Sequence, residues 1–179
     1  SGGGDGTVRL WSFASGSLLR TMSGHVGSVW SVAVSPDGSR LVSGGADSTV
    51  RVWRTSDGVL EHTTTLHNAP VYGVSVSPDG NHIVSAGGDN TVRMSFLSDG
   101  ASDLIFFGHT DNALSAVMTS DGSQIVSTGW DGRIRRWPTS GGQIPNDWFA
   151  STDVVNRVAL SANDTYVVSG SWDRTVKVW

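Results

Sequence analysis

The chain repeats itself every 42 residues. "GGDGTVRLW" at 3–11 returns as "GADSTVRVW" at 45–53, "GGDNTVRMS" at 87–95, "GWDGRIRRW" at 129–137 and "SWDRTVKVW" at 171–179. The aspartates of these segments, Asp5, Asp47, Asp89, Asp131 and Asp173, are spaced by 42 residues without an insertion. His25, His67 and His109 keep the same period, with Ser151 in the next place, and residues 25–66 and 67–108 share 18 identities. A fixed period of this length sets the architecture before local propensity is considered, because each unit must bury its apolar face against the next.

One period reads as four strands. "SVWSVAVS" (28–35) is nearly continuous in apolar and β-branched residues, as in a strand covered on both faces. "PDG" (36–38) supplies a turn, and "RLVSGG" (40–45) is a second strand. "STVRVW" (48–53) alternates, and after "TSDG" (55–58) the stretch "VLEHTTTL" (59–66) is more polar. Falling hydrophobicity over four short antiparallel strands predicts an all-β chain of β-propeller blades, the first strand at the axis and the fourth at the rim. Blades fall at 25–66, 67–108 and 109–150, with 1–24 the end of an earlier blade and 151–179 an incomplete one, about four blades in all. Residues 1–11 duplicate the phase of 173–179, which a self-contained ring would not need. The expectation is a segment of a longer propeller, with half of an eight-bladed homodimer as the alternative.

Charge and residue usage narrow the chemistry. A net charge of −4 disfavours a broad phosphate-binding surface, so direct nucleic-acid contact is not expected. Cysteine is absent, which removes disulfides, thiolate metal sites and thiol catalysis. No apolar run reaches the roughly 18 residues of a membrane-spanning helix. The histidines, His62 and His82 included, lack the short spacing of a metal site, and "GGG" at 2–4 lacks the Lys and Ser/Thr of a phosphate loop. No metal or cofactor is expected. Arg133, Arg135 and Arg136 share one strand and read as a solvated face.

The Gly24–His25 and Gly108–His109 pairs, the "SPDG" turns at 35–38 and 77–80, and the aspartate-to-tryptophan segment ends resemble the WD-repeat β-propeller family over essentially the whole chain. Ser95 in place of tryptophan, Leu66 in place of the glycine before His67, and Ser151 in place of histidine depart from the pattern. The resemblance implies a hydrogen-bonded chain of histidine, serine, aspartate and indole across each blade. His25, Ser43, Asp47 and Trp53 form one complete set, and His109, Ser127, Asp131 and Trp137 another. The same residue types invite a hydrolase reading. Ser43, Ser85, Ser127 and Ser169, however, recur once per blade at one phase inside a strand, which suits a structural device rather than a nucleophile. The blade carrying Ser95 is expected to be the loosest, since it lacks the indole.

For function, the resemblance implies a non-catalytic protein–protein interaction scaffold that binds peptides or partner domains on the propeller's end face. An intracellular setting, cytoplasmic or nuclear, and a place in a larger multiprotein complex go with it. The alternative is a propeller-type enzyme or small-ligand sensor using the central channel, although the first-strand positions offer mainly apolar and small residues. In the family, partners meet the start of the first strand and the residue before the blade aspartate. By phase the first class is Trp30, Tyr72, Leu114 and Asn156, with Ser28, Pro70, Asn112 and Val154 two residues earlier. The second is Ala46, Gly88, Trp130 and Trp172. The expected partner-binding set is Trp30, Tyr72, Leu114, Asn156, Trp130, Trp172, Ser28 and Asn112.

Overall fold

Glycine and aspartate turns cut the chain into short strands, and a computed structural model describes where residues 1–141 and 146–179 go. Residues 142–145, inside the expected 109–150 unit, lie outside the described residues. Those described form only strands and irregular connections. Strands β1 (Thr7–Trp11) and β2 (Leu18–Ser23) make a two-stranded sheet. Strands β3 (Val29–Val34), β4 (Arg40–Gly45), β5 (Val50–Arg54) and β6 (Leu60–Thr64) make the first four-stranded antiparallel sheet. The second contains β7 (Val71–Val76), β8 (His82–Gly87), β9 (Thr91–Phe96) and β10 (Ser102–Phe107). The third contains β11 (Ala113–Met118), β12 (Gln124–Gly129), β13 (Arg133–Pro138) and β14 (Asn146–Phe149). Strands β15 (Val155–Leu160), β16 (Val167–Ser171) and β17 (Val176–Val178) form a three-stranded sheet. Within every sheet each strand pairs with its sequence neighbour, as short turns require.

The sheets stack face to face in chain order, with β3 against β7, β7 against β11 and β11 against β15. The core therefore lies between sheets rather than within one. Val42, Val52, Val71, Ile83 and Leu97 fill one layer, and Val84, Met94, Phe106, Ile125 and Trp137 fill the next. The first strands stand side by side along a channel of about 340 Å³, lined by Val32, Gly73, Ala116 and their neighbours. That channel corrects the expectation that the first strand is covered on both faces. The second strands β4, β8 and β12 are so covered, each with five of its six residues buried. A first strand spends one side on the open channel, whereas a second strand has neighbours in every direction.

One further correction concerns Arg135, and one further finding concerns Ser95. Arg135 is buried, not part of a solvated face, and its guanidinium meets Asp131 and His109. At Ser95, Leu97 supplies the bulk that the absent indole would have given. Ser95 is itself buried, and Leu97 enters the layer against β3–β6, held by its backbone N–H on the Asn81 carbonyl at 2.8 Å. Replacing Leu97 with Ala should therefore cost about 2–5 kcal/mol, as for a well-packed core aliphatic. Urea denaturation checks this, and a loss below about 1 kcal/mol would mean that Leu97 is not filling that space.

Candidate functional site

Asp47, Asp89, Asp131 and Asp173 each sit in the turn joining the second and third strands, where they collect donors from the segment before the first strand. Asp47 accepts from His25 Nδ1 at 2.9 Å, from the Val26 backbone N–H at 3.0 Å and from the Thr49 hydroxyl at 2.8 Å. Behind it, His25 Nε2 lies 2.8 Å from Ser43 Oγ, and the Trp53 indole donates to that oxygen at 2.8 Å. With the serine oxygen accepting from the indole, its hydroxyl proton is free for His25 Nε2, and Nδ1–H serves Asp47. The ring is then neutral. His109, Ser127, Asp131 and Trp137 repeat the arrangement, with His109 Nε2 to Ser127 at 2.8 Å and Trp137 to Ser127 at 2.8 Å. All these serines are buried, and the set ties both ends of a sheet's inner strands together.

Burial pulls the pKa of His25 and His109 below the ordinary histidine value of 6.5, against the opposing pull of their aspartates. Burial works to raise Asp131, but hydrogen bonding and charge from His109 prevail and hold it well below the ordinary 3.8. The sets adapt where the sequence departs from the pattern. His67 reaches Ser85 at 2.8 Å and Asp89 at 2.9 Å, with no indole because residue 95 is serine. Ser151 donates to Asp173 at 2.7 Å, so the carboxylate keeps a partner, while Trp179 meets Ser169 at 2.9 Å.

Above these turns the strands do something the sequence did not reveal. In β3, β7, β11 and β15 the pairing register slips at one phase, so Trp30, Tyr72, Leu114 and Asn156 are each the extra residue of a β-bulge. A bulge bends its strand and re-aims the side chain. Here the four residues turn to one opening, joined by Trp130 and Trp172 around a cavity of about 340 Å³. Trp30 and Tyr72 approach at 6.2 Å between ring centroids, and Trp130 and Trp172 at 6.4 Å, both tilted. Leu114 is buried and forms floor rather than rim. Ser28 and Asn112 do not line the cavity. Their carbonyls instead accept the backbone N–H of Ala46 at 2.8 Å and Trp130 at 2.9 Å, bracing the turns. The Val154 carbonyl holds Trp172 likewise at 3.0 Å.

Arg157 also lines the opening, and sequence reasoning passed it over. It follows the bulge at a phase that holds Ser31, Gly73 and Ser115 in the other sheets, so comparison by phase would have marked it. Those positions are small because blades meet there: a Cβ at Gly73 would lie 2.7 Å from the Leu114 carbonyl. Arg157 extends across this narrow ground and donates from Nη1 to the carbonyls of Leu114 at 3.0 Å and Tyr72 at 3.3 Å. A second cavity of about 350 Å³ lies at the turns of the opposite end, beside Asp79 and Asp121. Both carboxylates are committed to their own turns, through Ser77 and Asn81 in one case and Thr119 and Ser123 in the other. Among the described residues no cluster of His, Asp and Glu could hold a metal ion.

The profile of the WD domain, G-beta repeat, matches residues 16–54, 58–94, 101–138 and 146–179, most of the chain. The chain belongs to the WD40 family. It is also 44% identical over 41 residues to an uncharacterized WD repeat-containing protein of Synechocystis sp., a match covering 23% of this chain and 12% of that relative. The chain thus matches only a small part of the relative's length. Each WD40 match begins near the outermost strand of one sheet and runs through the inner strands of the next, so the sequence repeat and the sheet are out of step. Successive sheets are thereby joined through every repeat.

The WD40 polar chain has a pH signature. His25 and His109 bind fewer protons folded than unfolded, so acidification through their ordinary 6.5 favours the unfolded state. Asp47 and Asp131 are depressed, so their contribution is present above the ordinary 3.8 and lost as pH falls through their folded values. Melting temperature should therefore fall in two stages, first below 6.5 and again below 3.8. Melting curves across that range check it, and a flat response between those values would mean the histidines are not held neutral.

Proposed function

We propose that this chain captures an extended peptide segment of a partner protein across the aromatic mouth. WD40 repeats generally mediate protein–protein scaffolding and are typically non-catalytic, and the site fits that role in detail. The observation that carries the reading is the contrast among tryptophans. Trp53 and Trp137 are 2% and 1% exposed, whereas Trp30, Trp130 and Trp172 are 51%, 43% and 60% exposed around one opening. Rigid rings bury much apolar area at little entropic cost when a ligand covers them, which makes them anchors of peptide interfaces. The fixed backbone of the bulges and braced turns holds the rings in place before a ligand arrives, which lowers the ordering cost of binding.

The serine–histidine–aspartate sets support the same reading from the other side. Ser43 and Ser127 are fully buried with the hydroxyl oxygen engaged by both histidine and indole, leaving no room for a substrate carbonyl.

A peptide display library selected on the parent chain supplies the ligands for a test. Trp130→Ala and Trp172→Ala should each keep the parent melting temperature within a few degrees and weaken the selected peptides by about 2 kcal/mol or more. If either variant unfolds, or if both bind the peptides as the parent does, the rings are core and the mouth is not the binding face.

A further inference from the structure

The mouth holds one charge. Among the described residues that line it, Arg157 is the one ionisable side chain besides the Tyr72 phenol; the remaining lining is aromatic, aliphatic or amide. Among the described residues no carboxylate pairs with Arg157, although most other arginines of the chain face an aspartate or glutamate. Its two hydrogen bonds, to the Leu114 and Tyr72 carbonyls, both use Nη1. Those bonds tether the guanidinium by one nitrogen, and among the described residues no acceptor meets its Nε and Nη2 edge. Neighbouring groups pull the Arg157 pKa below its ordinary value by desolvation, although the side chain stays accessible to solvent, and an arginine remains charged under such a shift. A solvent-accessible guanidinium tethered through Nη1, with two parallel N–H groups unspent, is the donor half of a bidentate carboxylate pair.

Resting on the peptide-binding reading above, we infer that the mouth selects a peptide bearing one Asp or Glu, whose carboxylate docks on Arg157 while its apolar neighbours cover Trp30, Trp130 and Trp172. One carboxylate matches one guanidinium. A dianionic phosphate would call for a second cation; among the described residues Arg174 lines the adjoining pocket with Arg157 rather than the mouth itself, so phosphoserine is the alternative that the test separates. A run of acids would meet the chain's own net charge of −4. A cationic side chain is repelled by Arg157 despite the aromatic walls. The ligand is therefore a single acid set among apolar residues. Arg157 also holds carbonyls of β7 and β11, so its loss could loosen the mouth, and the test must separate charge recognition from packing.

Peptides with a central Glu flanked by randomised positions are selected on the parent chain. Each is then remade with Gln, phosphoserine or Lys at the centre, and affinities are measured by fluorescence anisotropy. The Glu forms should bind about two- to fivefold tighter than the Gln forms, as expected for a charged pair on an accessible arginine. In R157M, Glu and Gln forms should bind alike, so that the coupling between residue 157 and the central carboxylate disappears. Should R157M fail to fold, the salt dependence of the parent decides. The Glu preference must shrink as ionic strength rises, and a preference unmoved by salt overturns the inference.

Equal binding of Glu and Gln forms on the parent, or a preference for Lys, overturns it as well. So does a selection that yields no binder. Phosphoserine bound tenfold better than Glu would assign the cation to a phosphorylated partner instead, against the carboxylate proposed. Loss of all peptides on Trp172→Ala, with Glu and Gln forms equal on the parent, would leave the mouth a peptide site and sink the carboxylate assignment alone.

Discussion

A carboxylate at the end of each sheet is what the rest of the molecule hangs on. In a stack of short sheets, the polar backbone of every turn must find partners, and the strand ends have little core of their own. The blade aspartate meets this need by gathering donors from the turn it occupies and from the segment leading into the first strand. Asp47 ties His25 and Val26 to Thr49, and Asp131 ties His109 and Thr110 to Arg133 and Arg135. Each hydrogen bond contributes roughly 1 kcal/mol, but leaving a buried partner orphaned costs about 1–3 kcal/mol, so the set is kept or lost together. The departures bear this out. Where histidine gives way to Ser151, the carboxylate of Asp173 still finds a hydroxyl and an ammonium, from Ser151 and Lys177. Its partner changed and its role did not.

That anchoring lies directly beneath the mouth. Trp130 and Trp172 stand immediately before Asp131 and Asp173, in turns whose backbone is pinned to the preceding segment. The bulged residues of the first strands face the same opening. Residues that hold the fold and residues that meet a ligand are thus neighbours in sequence with separate duties. Positions 30, 72, 114 and 156 can hold tryptophan, tyrosine, leucine or asparagine without touching the hydrogen-bonded sets. A repeat architecture becomes specific in this way, through side chains that the repeat itself does not fix.

The period made much of this legible. Strand order, turn positions and the two complete polar sets follow from residues that recur at 42-residue intervals, because one physical requirement recurs with them. Features that depend on contacts across strands or between sheets were hidden. Arg135 alternates along β13 like a surface residue, and only the adjacent Asp131 and His109 show that it is enclosed. Leu97 follows its strand, where the pattern carries no expectation, yet it fills the layer left open by Ser95. The bulges have no compositional mark, since Trp30, Tyr72, Leu114 and Asn156 share no chemistry. Arg157 broke the pattern visibly, but its consequence depended on a channel too narrow to be read from strand alternation.

The separation of anchoring from binding side chains can be read from the exchange of single protons. The chain has eight tryptophans, so a nitrogen-15 correlation spectrum would show eight indole N–H signals. Trp53 and Trp137 donate theirs to buried serines, at 2.8 Å in both cases, and these protons should exchange with solvent only when a sheet opens. The indole protons of Trp30, Trp130 and Trp172 should exchange fast, at rates close to those of free indole. Protection of the mouth indoles equal to that of Trp53 and Trp137 would contradict the division of labour, and would place those rings in the core.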